Sequence, residues 1–208
     1  MVLKAKGLAT REKIAATGAS LIRQYGYDAV TVDQITQASG VSKGTFYLYF
    51  ESKEELFYRT GAATLDIADK ALQASSDQHV TAALRAYAEQ WWNSHASLGV
   101  PYIEHWLGLL SNAEARKRFA SATDSEDAVD LDERHFNALV TRISAAVEAG
   151  EIAPSIPVKI IAHNLLSALY GSTVRYCMTQ GQEDPQRWID AFMQSATALL
   201  NPVERDAA

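Results

Sequence analysis

Residues 31–56 read TVDQITQASGVSKGTFYLYFESKEEL, and this stretch decides the fold of the N-terminal end. Thr31 is followed three residues later by Gln34, a spacing typical of a capping box that opens a helix. The turn at 39–41 contains glycine and ends that helix, and Ser42 can cap another one directly after it. The sequence therefore predicts two short helices joined by a tight turn.

Helical periodicity recurs along the rest of the chain, whereas sustained alternation of period two and hairpin turn signals are lacking. A helix at 11–25 precedes the stretch and can pack across both short helices. Ser52 and Glu55 predict a second capping box, with the Glu55 carboxylate bonded to the Ser52 amide, at the start of a long helix. Apolar stripes indicate further helices at 81–95, from 101, and at 136–147, 158–178 and 185–200. The chain is predicted to be all-α.

Helical geometry sorts the side chains of the second short helix onto different faces. Phe46 and Phe50 are four residues apart and share a face that we expect to pack inward. Lys43 and Tyr47 share another face and can point outward, where an ammonium and a phenol can contact phosphates or base edges. This pattern indicates a helix-turn-helix whose second helix enters the major groove. An ordinary helical corner with good caps is the alternative.

The stretch resembles the DNA-binding signature of the TetR family of transcriptional regulators. It does so in three ordered motifs, which are Thr31-Val32-Asp33-Gln34-Ile35, Gly40-Val41-Ser42-Lys43-Gly44-Thr45-Phe46-Tyr47-Leu48-Tyr49-Phe50 and Ser52-Lys53-Glu54-Glu55-Leu56. The resemblance implies an all-α protein of nine or ten helices. It implies a three-helix DNA-binding domain at 1–53 and a larger helical domain at 54–208 that dimerises and binds a small molecule.

The resemblance also implies which residues contact DNA, some through phosphates and some in the major groove. These residues are Thr31, Ser42, Lys43, Gly44, Thr45, Tyr47, Tyr49 and Lys53. Leu48 departs from family members with a polar aromatic residue there, because it can pack on a thymine methyl group but cannot donate a hydrogen bond. Lys43 is the only basic side chain within the second short helix, so we expect few direct guanine contacts and more specificity from phosphates and DNA shape.

The charge of the chain is unevenly distributed. The 208 residues carry a formal net charge of −6, which would argue against a nucleic-acid partner if it were spread evenly. Residues 1–60 hold eight basic and six acidic side chains, whereas residues 61–208 hold 11 basic and 19 acidic ones. The N-terminal end is therefore +2 and the remainder −8, which indicates two parts with different partners.

Two C-terminal helices carry wide apolar stripes. A helix that is apolar over more than a third of its circumference needs a second surface to cover it. The helices near 158–178 and 185–200 could pair with their copies in a four-helix interface, which predicts a homodimer. The alternative is that both are core helices of the larger domain.

Aromatic side chains with polar tips concentrate between residues 91 and 106. Such side chains often line ligand cavities, and they also make ordinary core. If they form a pocket, its ligand is an aromatic or flat apolar molecule with one or two polar groups. The candidate pocket residues are Trp91, Trp92, His95, Tyr102, His105, Trp106, Tyr170 and Tyr176.

Other classes of protein find little support in the sequence. Nucleophile-elbow, dinucleotide-binding and phosphate-binding motifs are lacking, and the five histidines lack metal-ligand spacing. The acidic stretch at 121–133 reads as a loop or helix entry, since it lacks the glycine and terminal glutamate of a calcium-binding EF-hand loop. We expect no enzymatic activity, no cofactor and no metal. With no secretory segment or apolar run of about 18 residues, we expect a cytoplasmic protein without membrane contact.

The favoured hypothesis is a ligand-responsive transcriptional repressor. It would bind a palindromic double-stranded DNA operator as a homodimer and be released by a small, aromatic or apolar molecule. One alternative is a DNA-binding regulator that is controlled by a protein partner and has no small-molecule effector. A small-molecule-binding helical enzyme is the less favoured alternative.

Overall fold

The computed structural model describes residues 5–110, 112, 114 and 131–200. Within these residues the chain forms nine helices and no strand, which confirms the predicted all-α fold. The helices are α1 (Ala5–Tyr25), α2 (Val32–Ser39), α3 (Lys43–Tyr49), α4 (Lys53–Ala74), α5 (Val80–Leu98), α6 (Val100–Leu110), α7 (Leu131–Glu148), α8 (Val158–Met178) and α9 (Pro185–Leu200). Most of the predicted acidic loop at 121–133 lies outside the described residues, and its last three residues begin α7.

Local capping fixes the ends of α2 and α3 as the sequence predicts. The Thr31 hydroxyl accepts a hydrogen bond from the Gln34 amide at 3.2 Å, and the Gln34 side chain accepts from the Thr31 amide at 2.7 Å. Gly40 ends α2 in the left-handed conformation with φ of +65°, which glycine adopts without steric cost. Ser42 then caps α3 by accepting from the Thr45 amide at 3.0 Å.

The second predicted capping box is formed only in part. The Glu55 amide donates to the Ser52 hydroxyl at 3.0 Å, as expected. The Glu55 carboxylate, however, accepts from the Glu51 amide rather than from the Ser52 amide. Its other oxygen binds Arg59 one turn later at 2.7 Å, which directs the carboxylate along the helix. The prediction was therefore wrong about the amide but correct about the start of α4.

The chain divides into two compact units. Unit 1 comprises the described residues within Met1–Thr64 and Ala96–Leu131, and unit 2 those within Leu65–His95 and Asp132–Ala208. Unit 1 therefore contains α1 to α3, the first part of α4, and α6. Unit 2 contains the rest of α4, most of α5, and α7 to α9. The predicted functional boundary after residue 53 stays a prediction.

Each unit has its own apolar core. In unit 1, an interior glycine of α1, Gly18, allows a close approach, because a Cβ there would lie 2.7 Å from Leu56 of α4. The large buried side chains of unit 1 include Ile14, Ile22, Ile35, Phe46, Phe50 and Phe57. The core of unit 2 includes Tyr87, Trp91, Trp92, Leu139, Ile143, Leu165, Leu169 and Phe192. A search of the described residues finds no helix with the length and apolar character that crossing a membrane requires.

Candidate functional site

One face of α3 is anchored in the core and another is open to solvent. Phe46 and Phe50 are fully buried, with ring centroids 5.7 Å apart, as their spacing predicts. Tyr47 and Leu48 are 55% and 67% exposed. Tyr49 is half-buried between these faces. The buried pair therefore fixes the orientation of α3, and the open face is available to a partner.

The ammonium group of Lys43 is paired within the chain. Its Nζ lies 2.6 Å from Asp33 Oδ1 of α2, and both side chains are exposed. The hydrogen bond to Asp33 raises the pKa of Lys43, so the side chain stays charged. An ammonium has three N–H donors, so Lys43 can also bind a phosphate. Its predicted contact with DNA stays a prediction.

The hydroxyl groups predicted to contact DNA also serve as local caps. Thr31 bonds to the side chain and the amide of Gln34, and Ser42 Oγ lies 2.9 Å from Thr45 Oγ1. Thr31 and Ser42 are exposed and Thr45 is half-exposed, so the caps hold them at the surface next to the open face of α3. Their predicted roles toward DNA are not tested by these contacts.

Gly44 lies in the first turn of α3 and is exposed. Among the described residues, a Cβ at this position would meet only Ser42 Oγ, at 3.7 Å, which is an ordinary van der Waals distance. The fold of the chain itself therefore does not require a glycine here. A partner whose surface approaches the α3 backbone closely is a physical reason for one.

Lys53 ties the start of α4 to the segment before α2. Its Nζ donates to the carbonyl oxygens of Tyr27 and Val30, each at 2.7 Å, and lies 3.9 Å from the centroid of the Tyr27 ring. Burial lowers the pKa of Lys53 and raises that of Tyr27 to about 12. Two of its three N–H donors serve these carbonyls, so the predicted phosphate contact would use the third.

The eight predicted pocket residues divide between the two units. Tyr102, His105 and Trp106 belong to unit 1, and the other five belong to unit 2. In unit 1, the Tyr102 ring stacks on Phe57 with centroids 4.2 Å apart, and its hydroxyl donates to the Phe57 carbonyl. The His105 ring stacks on Tyr27 with centroids 3.8 Å apart. Trp106 is buried.

In unit 2, Trp91 is the centre of a buried cluster of rings. It stacks on His95 with centroids 4.8 Å apart and meets the Tyr170 ring edge-on at 5.3 Å. Its indole N–H donates to the Thr173 hydroxyl at 3.1 Å. Burial lowers the pKa of His95 to about 4, so this imidazole is neutral at neutral pH.

Trp92 faces a second group of rings in unit 2. It meets Tyr176 at 5.6 Å and Trp188 at 6.4 Å between centroids. Its indole nitrogen is buried and has no hydrogen-bond partner among the described residues. The predicted pocket stays a prediction, and the buried indole N–H is a donor that a ligand acceptor could pair.

One buried polar pair in unit 2 was not predicted from the sequence. His135 Nδ1 lies 2.7 Å from Asp69 Oδ1, with both side chains almost fully buried, and the His135 ring lies 5.1 Å from Trp91. His135 Nε2 has no hydrogen-bond partner within the described chain. The two residues are 66 positions apart, so spacing within one helix gives no signal for the pair.

Comparison with known proteins identifies the N-terminal segment that contains α2 and α3. The family model for bacterial regulatory proteins of the tetR family matches residues 14–60, which include all eight predicted DNA-contact residues. Residues 14–60 therefore match the DNA-binding segment of the TetR family by sequence. The relatives that the chain matches are transcriptional regulators, which are not enzymes.

Two relatives and one solved structure show how far the similarity extends. The chain is 31% identical to the uncharacterized regulator YxaF of Bacillus subtilis over 113 residues, covering 51% of this chain and 56% of YxaF. It is 22% identical over 206 residues to the probable acrEF/envCD operon repressor of Escherichia coli, covering 97% and 91%.

The solved structure is that of FadR from Bacillus subtilis in complex with stearoyl-CoA, with a TM-score of 0.71 and 17% identity. The alignment covers 91% of this chain and 97% of FadR. At this identity, the likeness shows that the chain shares the fold of FadR.

Proposed function

We propose that this regulator is a repressor that binds a palindromic operator as a homodimer and leaves it when a small molecule binds. The observation that carries the proposal is the presentation of α3, whose buried Phe46 and Phe50 leave Tyr47 and Leu48 open to solvent. A rigidly anchored short helix with an open polar face is suited to the major groove. Since operators lie on the chromosome, the protein would act in the cytoplasm.

The open face of α3 favours readout through phosphates and shape. Lys43 and Tyr47 can donate to phosphates, and Leu48 can pack on a thymine methyl group. With one cation in the helix, sequence preference would come largely from DNA geometry and from the Thr45 and Ser42 hydroxyls. The acidic remainder of the chain would repel DNA, which confines contact to this end and makes binding sensitive to salt.

The exposed face of α8 supports a homodimer. Ile160, Val174 and Met178 are 59%, 43% and 74% exposed. They lie on one line along the helix, which alternating steps of four and three residues trace from 160 to 178. That spacing produces a continuous seam between paired helices. At the centre of the seam, a Cβ on Gly171 would meet no atom of the described residues within 4 Å, so this glycine would serve close approach by a second copy.

The second helix of the proposed interface is α9, which packs on α8 in the same unit. Its outer face carries small exposed side chains at helical spacing, namely Ala191, Ser195 and Ala198. Two-fold pairing of α8 and α9 with their copies would make a four-helix interface. The same symmetry would present two α3 helices to half-sites about 34–36 Å apart, or farther if the DNA is distorted.

The buried rings of unit 2 support a small-molecule effector. Tyr87 Oη and Trp92 Nε1 are buried without hydrogen-bond partners among the described residues, within a core rich in aromatic rings. An aromatic or apolar molecule with one or two polar groups would satisfy such atoms. By linkage, the effector must bind the DNA-free form more tightly than the DNA-bound form.

The direct test is selection of binding sites from random duplexes with the full chain, followed by measurement of the mass of the complex. The proposal predicts an enriched inverted repeat that binds an even number of protomers. Enrichment of a single unrepeated site by one protomer would contradict the homodimer, and no enrichment would contradict operator binding.

A further inference from the structure

A groove runs along unit 2 between the second half of α4 and α7. It encloses about 450 Å³, a volume typical of sites for small molecules. Its apolar wall is made by Leu72 of α4 and by Ala138 and Ala145 of α7. Its polar lining includes Asp69, Arg134 and Arg142. The groove therefore combines an apolar surface with two guanidinium groups.

Arg142 is an unusual residue for the lining of a groove, because only 6% of it is exposed. Its Nη2 donates a hydrogen bond to the Gln78 carbonyl and lies 3.7 Å from Glu151 Oε1. Its Nε is buried and has no hydrogen-bond partner among the described residues. Buried N–H donors in folded proteins almost always have an acceptor, so this donor is available to an acceptor that the described residues do not supply.

Arg134 contributes a second guanidinium on the same face of α7, two turns before Arg142. It is paired with Asp66, which also binds Lys70 at 2.7 Å. A guanidinium has five N–H donors, so pairing with one carboxylate leaves donors for another acceptor. Guanidinium groups bind carboxylates through two parallel hydrogen bonds, a geometry that favours planar oxyanions.

Asp69 connects the groove to the ring cluster in the interior of unit 2. It lines the groove, and its Oδ1 is bonded to His135 Nδ1, whose ring lies 5.1 Å from Trp91. The carboxylate of Asp69 is therefore hydrogen-bonded to the buried His135. The apolar body of a ligand can lie on Leu72 and Ala138 while its charged end stays near the arginines.

We infer that this groove binds an amphipathic carboxylate, with the carboxylate on Arg142 and the apolar body against the α4 and α7 side chains. The assignment of this groove as the effector site rests on the proposed function, because it specifies the class of molecule that would release the protein from its operator. Occupation of the groove would act on α4, whose first residue follows the end of α3 by four positions.

Calorimetric titration of the full chain with two matched pairs of probes tests the inference. The pairs are 2-naphthoate with 2-naphthamide, and octanoate with octanamide, so that each amide keeps the shape of its acid but lacks the charge. We expect at least one carboxylate to bind about tenfold more tightly than its amide, because Arg142 would recognise the charge. Arg142→Gln should abolish that preference.

A second variant keeps the test valid if Arg142→Gln fails to fold. Ala145 is exposed and lines the groove, so Ala145→Trp should fill the groove while leaving both arginines in place. Ala149→Trp, on an exposed residue just after α7, is the matched control. We expect Ala145→Trp to weaken carboxylate binding about tenfold and Ala149→Trp to leave it unchanged.

Two outcomes would overturn the site. One is that neither carboxylate binds more tightly than its amide, and the other is that Ala145→Trp binds the carboxylate as tightly as the unmodified chain does. A saturating carboxylate that binds as expected but leaves operator affinity unchanged would support the site and overturn its role as the effector site. Operator binding by the ligand-free chain is measured separately, so failure of the DNA-binding proposal is distinguishable from failure of the groove site.

Discussion

Lys43 Nζ of α3 lies 2.6 Å from Asp33 Oδ1 of α2, so the ammonium on the open face of α3 is held by a carboxylate of the preceding helix. This ion pair orients Lys43 beside the exposed Tyr47. It also places a negative charge where DNA phosphates would approach. Because both side chains are exposed, the pair contributes little to folding stability, and its main effect falls on binding.

Asp33→Asn is therefore expected to tighten binding to all duplexes by about threefold to tenfold at low salt, since a repulsive charge is removed. The gain should shrink as salt is added. Fluorescence anisotropy titrations over a range of salt concentrations measure it. Asp77→Asn, at an exposed acidic residue of unit 2, is the control, and an equal gain in both variants would contradict a local effect.

Gly44→Ala separates folding from DNA binding. A Cβ at position 44 fits the chain, and alanine exceeds glycine in helix propensity, so the free energy of unfolding should stay unchanged or rise by up to about 1 kcal/mol. Operator affinity should fall about tenfold if the α3 backbone approaches DNA closely. Thermal melts and operator titrations measure the two effects.

Gly108→Ala is the matched control for Gly44→Ala, because Gly108 is also an exposed helical glycine, and its Cβ would meet no atom of the described residues within 4 Å. It should give a similar change in stability with no loss of operator affinity. Unchanged affinity in Gly44→Ala would remove the argument for close backbone approach at α3.

Gly171→Arg tests the proposed dimer interface on α8. A long charged side chain at the centre of the exposed seam should halve the mass measured by light scattering, from two 22.8 kDa chains to one. Ala149→Arg, after α7, should leave the mass unchanged. Circular dichroism checks that the variant remains helical, and a folded variant that retains the dimeric mass would place the interface elsewhere.

His95 predicts a pH dependence of stability. Burial lowers its pKa in the folded chain to about 4, whereas the unfolded value is about 6.5. The unfolded chain therefore binds more protons between these values, and stability falls as the pH drops below about 6.5. At pH 5 this one residue should cost about 2 kcal/mol relative to neutral pH.

His95→Phe keeps an aromatic ring but removes the titrating group. Denaturant unfolding followed by tryptophan fluorescence at pH 5 and 7.5 should show a smaller loss of stability in the variant than in the unmodified chain. An identical loss in both would show that other groups carry the pH dependence.

The features that the sequence could predict are local ones. The Thr31 and Ser42 caps and the spacing of Phe46 and Phe50 involve residues three or four positions apart, so the geometry of a single helix determines them. These signals were sufficient to predict α2, α3 and the open face of α3. The correction at Glu55 is also local, because an alternative backbone N–H lay within reach of the same carboxylate.

The features that the sequence could not predict join distant segments. The contact of Lys53 with the Tyr27 carbonyl, and the pair of His135 with Asp69, depend on how helices cross rather than on spacing. The density of aromatic residues between 91 and 106 predicted one cluster. These residues fall in two units, because the boundary between the units lies within α5, after His95. The buried Arg142 at the α4–α7 groove was missed for the same reason.

The central claim is that α3 reads the operator in the major groove. The most direct measurement is titration of the selected operator and a set of single-base variants with Tyr47→Ala and Thr45→Ala. Tyr47→Ala should weaken binding to every duplex by a similar factor, about fivefold, through loss of a phosphate contact, whereas Thr45→Ala should change the preference at particular bases. Affinity and preference that are unchanged in both variants would contradict this claim.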